Sequence, residues 1–461
     1  MHSSWIRSLL CGFYSCRRDR MKEASDKTAV LGFGITGRAV VSALLSRQMK
    51  VCVIDEYPTE SSKREVLESG AEVIDTTVND FVLSKAIEDC SQIVLSPGVR
   101  DSHQIFGLAK DLGIPILDEF DLAQEWDDRP CTAITGTNGK TTVVSLVVAM
   151  LNESGIKTKS AGNTETPLVE AIEDSSIERF VLESSSFRLA HTENFSASPA
   201  AWLNFAPDHL DIHDDLEAYE KAKLKIWDGI KSPIEAIANL SDPVVSSHAP
   251  KGCTSFGTST STAKIRNDFL IFEEEKVIPV DQIRRRLPHD LENAQAAVAI
   301  AFRSGANLEA CANTLSEFSG LPHRMEFIGQ LDGIEFINDS KATTPHATIS
   351  SMKSISRATL IAGGKNKGLD LRELGSLRPR NVIAIGEASE EIQEIFQDIC
   401  NVTKAESMRQ AVEVSVSITK SGGVVLLSPS CSSFDWYHSY EERGEHFRSL
   451  VHEYIDEKKN G

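Results

Sequence analysis

Three consecutive α/β units are predicted from this sequence. They are a Rossmann-like N-terminal unit, a central unit with a parallel sheet of the P-loop ATPase type, and a Rossmann-like C-terminal unit. Three observations predict them. Short apolar runs alternate with amphipathic helical stretches along most of the chain, the pattern of parallel sheets covered by helices. Two glycine turns, Gly32–Gly37 and Gly136–Thr142, each follow an apolar strand and open a helix. The chain has 461 residues, which at roughly 150 residues per domain suggests about three domains.

Residues 1–26 are expected to be a disordered extension or an upstream start ahead of Met21, because the short apolar piece Ser8 to Tyr14 precedes Arg17, Arg18 and Arg20. A signal peptide would carry its charges first. The first unit, 27–122, opens with strand Thr28–Leu31, turns at Gly32-x-Gly34-x-x-Gly37 into a helix ending near Gln48, and returns as strand Lys50–Ile54 with Asp55 at its end. Strand, glycine turn, helix, strand and acid form a mononucleotide-binding fingerprint. Strand Gln92–Leu95 ends in the turn Ser96-Pro97-Gly98, and a polar, acidic stretch from Glu119 to Arg129 suggests a boundary.

The second unit, 123–319, begins with strand Cys131–Thr135, the second glycine turn and a helix from Thr141 to Leu151. Strand Phe180–Leu182 carries Glu183, and strand Ala200–Asn204 runs into the loop Asp208-His209-Leu-Asp211-Ile-His213. Asp214 and Glu217, three apart, suggest a capped helix start. Short strands and loops are expected over Lys231–Lys276, then a helix over Leu291–Ser304. A second boundary near Phe318 to Arg324 opens the third unit, 320–461, with strands at Ile334–Ile337, Thr359–Ala362, Val382–Ile385 and Val424–Leu427.

Composition narrows the function. Hydrophobic residues at 41% and charged ones at 25% are ordinary for a globular chain. The formal net charge of −19 would repel nucleic-acid backbones and anionic membranes, so any phosphate must be gripped by a local arrangement. No nucleic-acid or membrane partner is expected. Nine cysteines without a C-x-x-C pair read as reduced core thiols of a cytoplasmic protein.

Gly136-Thr137-Asn138-Gly139-Lys140-Thr141-Thr142, between strand and helix, points to ATP. Backbone N–H groups cradle phosphates, Lys140 reaches the β/γ-phosphates and Thr141 offers a hydroxyl to Mg²⁺. It has two residues between its glycines where the common form has four. Glu183, an acid at a strand end in the same unit, suits a Mg²⁺ ligand. The acidic, His-containing loop suits one or two hard Mg²⁺ ions better than zinc. By composition alone, Ala218 to Trp227 with its lysines is an exposed basic helix face.

These motifs, in this order, resemble the Mur ligases, ATP-dependent amide ligases of bacterial peptidoglycan synthesis. The resemblance rests on Gly136–Thr142, Leu182-Glu183 with its serines, Asp208-His209 and Ala222-Lys223-Leu224. It continues through Gly320–Glu326, Asn338–Thr343, Gly363–Lys367, Ser428–Asp435 and Glu442–Gly444, and covers the chain from about Thr28 onward. With the leading glycine turn it implies the activity that adds D-glutamate to UDP-N-acetylmuramoyl-L-alanine (UDP-MurNAc-L-Ala) through an acyl phosphate, by a monomer in the bacterial cytoplasm.

The resemblance also implies residue roles. Thr141 and Glu183 would hold one Mg²⁺, and His209 a second together with Lys223 carrying a CO₂-derived carbamate. Lys140, Glu183, His209 and Lys223 would form the catalytic set. Asn293, Arg324, Asp339 and Lys341 would join the P-loop around ATP. Gly34, Ile35, Thr36, Gly37, Asp55, Ser96, Pro97 and Gly98 would take the UDP, and Asn163, Ser185 and His209 the muramoyl-alanine end. Thr343, Lys367, Ser433, Phe434 and Tyr440 would form the D-glutamate pocket. His323 falls in the linker motif. Two positions depart from the family pattern: Arg188 replaces a usual Gln, and Asp290 a usual Asn.

The alternatives differ at identifiable residues. An L-alanine-adding relative usually carries His at the position of Asn138, and a diamino-acid-adding one an Asp-Asn-Pro-Arg signature that this chain lacks. Folylpolyglutamate synthases lack the leading unit. A nicotinamide oxidoreductase could use the N-terminal fingerprint but would have no use for Lys140, Glu183 and Lys223. A nucleotide-regulated binding protein would bind ATP without amino-acid-dependent phosphate release.

Overall fold

The structure is a computed structural model that describes residues 27–460 except 57, 76–79, 164–165, 209–211, 356–357 and 367. The expected N-terminal extension, His209 and Lys367 therefore lie outside the described residues. The chain divides into two compact units, Met1–Phe318 and Ser319–Gly461.

The first unit contains three sheets. Strands β1 (Lys27–Leu31), β2 (Lys50–Asp55), β3 (Glu72–Asp75), β4 (Gln92–Leu95) and β5 (Ile116–Leu117) form a parallel sheet in the order β3-β2-β1-β4-β5. Order reverses between β1 and β4, the kind of switch point beyond whose strand ends open α/β sheets bind their ligands. The second sheet, also parallel, uses β6 (Cys131–Thr135), β7 (Thr158–Gly162), β8 (Arg179–Glu183), β9 (Ala200–Trp202), β10 (Ala236–Asn239) and β11 (Thr254–Phe256) in the order β11-β10-β9-β6-β8-β7. Continuous apolar strands such as Ala133-Ile134 and Val181-Leu182 are buried because helices cover both faces. A small antiparallel sheet, β12 (Ala263–Arg266), β13 (Phe269–Phe272) and β14 (Glu275–Pro279), fills the stretch expected to be short strands.

The acidic stretch after the first sheet is not a polar linker. Residues Glu119–Trp126 form a helix capped by Asp118, and Asp118, Glu119 and Asp121 are buried. One continuous apolar core joins Val30 and Val53 of the first sheet to Phe120, Ala133 and Trp202 of the second. The acids tolerate burial because backbone N–H groups and Arg188 surround them: Asp121 accepts from Asn194 N at 2.8 Å, and Glu119 from Val169 N at 3.0 Å.

In the second unit β15 (Glu326–Leu331) pairs antiparallel with β16 (Ile334–Asn338). Parallel β20 (Val424–Ser430), β17 (Thr359–Gly363), β18 (Asn381–Ile385) and β19 (Asn401–Ala405) complete the order β15-β16-β20-β17-β18-β19. Among the described residues, no helix is long and apolar enough to cross a membrane.

Candidate active site

The second glycine turn sits where a parallel sheet presents its carboxyl ends. After β6, Gly136–Gly139 turns into the helix Lys140–Glu153. Gly139 takes φ +81°, and a Cβ there would lie 2.7 Å from Asn293 Oδ1, so the Asn293 side chain stands against the loop. Lys140 Nζ donates to Gly136 O at 2.9 Å and Thr137 O at 3.0 Å. Asn138 exchanges two hydrogen bonds with Asn204 at the end of β9, at 2.8 and 3.1 Å. Gly139→Ala should strain the left-handed turn by about 1–2 kcal/mol as well as crowd Asn293. The KM for ATP is then expected to rise about tenfold, and an unchanged KM would show that the loop does not need this geometry.

Glu183 ends β8 beside β6, in register with Ile134, and is 5% exposed. Asn163 reaches it from the next strand: its N–H donates to Glu183 O at 2.8 Å, and its side chain lies 3.4 Å from Oε1. Gly162 permits this approach, since a Cβ there would meet Glu183 O at 2.6 Å. Ser185 is spent locally; its hydroxyl caps the helix Ser186–His191. Ser186 Oγ pairs with His213 Nε2 at 2.9 Å, and His213 Nδ1 with Asp101 at 3.1 Å. That buried relay fixes the far end of the acidic loop, a role the sequence did not signal.

Lys223 overturns the reading of an exposed basic face. The helix Leu216–Leu224 is capped by Asp215 rather than Asp214, and this phase turns Lys221 outward and Lys223 inward. Lys223 is 1% exposed, its Nζ donates to Gly136 O at 2.9 Å and lies 4.6 Å over the Tyr219 ring. Burial, and then repulsion from Lys140, hold its amine well below the ordinary lysine value of 10.5, with Asp208 pulling the other way. Two lysines thus meet one carbonyl at the head of the P-loop. Tyr219 completes the group through Thr137 Oγ1 at 3.1 Å, a contact that the sequence did not signal.

Around the first glycine turn, a Cβ on Gly37 would lie 2.1 Å from Gly32 O, and Ser96 Oγ donates to the same oxygen at 2.9 Å. The turn after β4 is thereby tied to the turn after β1, with Asp55 at the end of neighbouring β2. Ile35 is 65% exposed at this rim, whereas Thr36 is buried and its hydroxyl accepts from Arg188 at 3.0 Å. Arg188 itself is wholly buried in an ion pair with Glu119 at 2.9 Å. Asp290 is likewise occupied, accepting from Arg285 Nε at 2.9 Å.

The second unit carries a cavity of about 330 Å³ lined by Thr343, Thr344, Leu369, Ser432, Ser433, Phe434 and Tyr440. Four of the five residues expected at the D-glutamate pocket line it, and the fifth, Lys367, lies outside the described residues. Lys341 Nζ stands 5.0 Å over the Tyr440 ring. Asp339 is buried, accepts from Ser351 and Ser428 at 2.6 and 2.9 Å, and is pushed up to about 6 by burial, with Arg324 opposing. His323 is a satisfied buried histidine, bonded to Asn338 at 2.9 Å.

Residues 134–301 match the Mur ligase middle domain, 323–431 the Mur ligase glutamate ligase domain, and 26–118 the Mur ligase MurD-like N-terminal domain. A UDP-N-acetylmuramoylalanine--D-glutamate ligase of Trichlorobacter lovleyi is 34% identical over 448 residues, 94% of this chain and 99% of that one. The chain belongs to the Mur ligase family.

Proteins of the same name from Caldanaerobacter subterraneus and Legionella pneumophila are 32% and 34% identical, with 94% and 92% of this Mur ligase and 99% and 98% of each relative covered. Among solved structures, UDP-N-acetylmuramate-alanine ligase MurC from Thermotoga maritima shares the fold at TM-score 0.51 and 17% identity, covering 93% of this chain and 99% of that one. MurF from Acinetobacter baumannii does so at 0.53 and 15%, with 93% of each chain covered. In this Mur ligase the cluster at the P-loop falls in the matched middle segment, and the cavity by Tyr440 straddles the end of the matched C-terminal segment: Thr343, Thr344 and Leu369 lie within it, and Ser432, Ser433, Phe434 and Tyr440 just beyond residue 431.

Proposed function

We propose that this Mur ligase couples ATP to the addition of D-glutamate to UDP-MurNAc-L-Ala, in the cytoplasm and as a monomer. The observation that carries the reading is the meeting, at one sheet edge, of the P-loop, Glu183 and a buried lysine whose ammonium form is disfavoured. The name of its near-full-length relatives supports the choice of amino acid. The two glycine turns would take uridine diphosphate and ATP, with Asn163 near the muramoyl-alanine carboxylate. That carboxylate attacks the γ-phosphate and ADP leaves; the amine of D-glutamate then attacks the acyl phosphate, and phosphate leaves with the amide formed.

Bringing a carboxylate to a polyphosphate gathers negative charge, and Lys140 at the head of the helix is placed to counter it. The donor chemistry fits a hard cation: Glu183 is a buried carboxylate at the end of a strand that lies beside the one leading into the P-loop. Thr141, Glu183, His209 and a carbamate on Lys223 would hold two Mg²⁺ ions, which when bound screen the same charge and polarise the phosphoryl group. Lys223 suits carbamylation because an uncharged amine is the nucleophile that adds to CO₂. The product would also replace a repulsive neighbour of Lys140 by an attractive one. Thr343, Ser433, Phe434, Tyr440 and Lys367 would hold D-glutamate.

The purified chain is expected to release phosphate from ATP only with UDP-MurNAc-L-Ala and D-glutamate both present. Equal turnover with L-glutamate or meso-diaminopimelate would defeat the specificity, and no release with any amino acid would defeat the ligase reading.

A further inference from the structure

Arg188 is 1% exposed and its planar fork serves three separate segments. One terminal nitrogen donates to Glu119 Oε1 at 2.9 Å and lies 3.4 Å from Asp118 Oδ1. The other donates to Thr36 Oγ1 at 3.0 Å, in the helix that opens at the first glycine turn, and reaches Gly162 O at 3.4 Å, at the end of β7. Glu119 continues the chain of contacts: its carboxylate accepts from Leu168 N and Val169 N at 3.2 and 3.0 Å. The loop that carries Asn163 is thus held at both ends, at Gly162 by Arg188 and at Leu168 by Glu119. The Phe120 ring closes the site from one side, its centroid 4.9 Å from the guanidinium carbon.

Packing alone does not account for this group. The guanidinium Nε–H has no partner among the described residues, and a buried charge with an unspent donor is costly where apolar side chains could fill the space. In return the fork sets a fixed spacing between two loops. A glutamine has one amide and no charge to set against Asp118 and Glu119, and a lysine lacks the planar geometry to face two segments at once.

We propose that Arg188 is a positioning residue that couples the two ends of the nucleotide-sugar site, holding the glycine turn at Gly32–Gly37 and the Asn163 loop in the relative placement that the joined substrate requires. This rests on the substrate placement proposed above. Preorganised half-sites bind a ligand that spans both more tightly than either fragment, and letting them shift removes that advantage first. Arg188 touches no reacting atom; it acts through Thr36, Gly162 and Glu119.

The test compares binding of UDP with binding of UDP-MurNAc-L-Ala by calorimetry, on the full chain, in wild type, R188Q and the double variant R188Q/E119Q. Wild type is expected to prefer the joined substrate. In R188Q that preference should fall by about tenfold, with KM for UDP-MurNAc-L-Ala raised and kcat at saturation retained. The double variant removes the unbalanced acid, so its melting temperature should recover while the preference stays low. An undiminished preference in R188Q or in the double variant would overturn the coupling. So would a preference that recovers together with the melting temperature, since packing alone would then explain the loss. A wild type that binds UDP-MurNAc-L-Ala no more tightly than UDP would overturn the substrate placement, and the coupling with it.

Discussion

Lys223→Ala is expected to lower turnover by about a thousandfold or more, the scale on which loss of a group that stabilises charge in the transition state is felt. Its folding should not suffer in proportion. Lys223 holds an amine well below 10.5 in the fold, so between its folded value and 10.5 the unfolded chain binds more protons. Stability from this residue therefore rises with pH across that window and is least below it. Replacing the lysine removes that cost, and Lys223→Met should melt at or above the wild-type temperature near neutral pH despite being inactive. If the amine works as its carbamate, short carboxylic acids should restore part of the activity of the alanine variant. Full activity in Lys223→Ala would remove this residue from the site; inactivity with a collapsed melting temperature in both variants would make its role one of folding.

Arg443→Ala should unfold the second unit preferentially. The side chain is 1% exposed and donates to Ser340 Oγ and O at 3.0 and 2.9 Å and twice to Cys431 O at 3.1 Å. Those oxygens belong to the two loops, Asp339–Thr343 and Cys431–Phe434, beside the cavity by Tyr440. Leaving the Ser340 and Cys431 carbonyls buried without the guanidinium, with a void behind, should cost about 3 kcal/mol or more. Denaturant unfolding should show an early transition for Ser319–Gly461, and KM for D-glutamate should rise at temperatures where the unit remains folded. An unchanged unfolding midpoint would mean that water replaces the guanidinium at little cost.

Much of the fold was legible because parallel strands buried on both faces must be continuous apolar runs. Gln92–Leu95 and Ala133–Ile134 announce themselves without any tertiary knowledge. The P-loop was legible for a related reason: its glycines, lysine and flanking elements are contiguous, so its chemistry is local. What escaped was decided at a distance. By composition alone Lys223 is one lysine among three, set apart only by the family resemblance, and it takes the helix phase set by Asp215 and the core behind Tyr219 to show that it points inward. Glu119 to Arg129 suggests a boundary because composition counts charges and cannot see Arg188, almost seventy residues on from Glu119, that makes the burial of its acids tolerable. Tyr219 and His213 act through partners far along the chain, Thr137 in the P-loop and Ser186 and Asp101 at a helix start and a loop, and no spacing rule reports them.

All the lining of the cavity by Tyr440 comes from residues between Thr343 and Tyr440, inside the unit Ser319–Gly461. The two glycine turns lie in the other unit. If that cavity takes the amino acid, as proposed above, its choice is encoded in a separable stretch of the gene. A lineage of such ligases could recruit a new amino acid by rewriting, or exchanging, that stretch while the nucleotide turns and the buried lysine passed unchanged from ancestor to descendant.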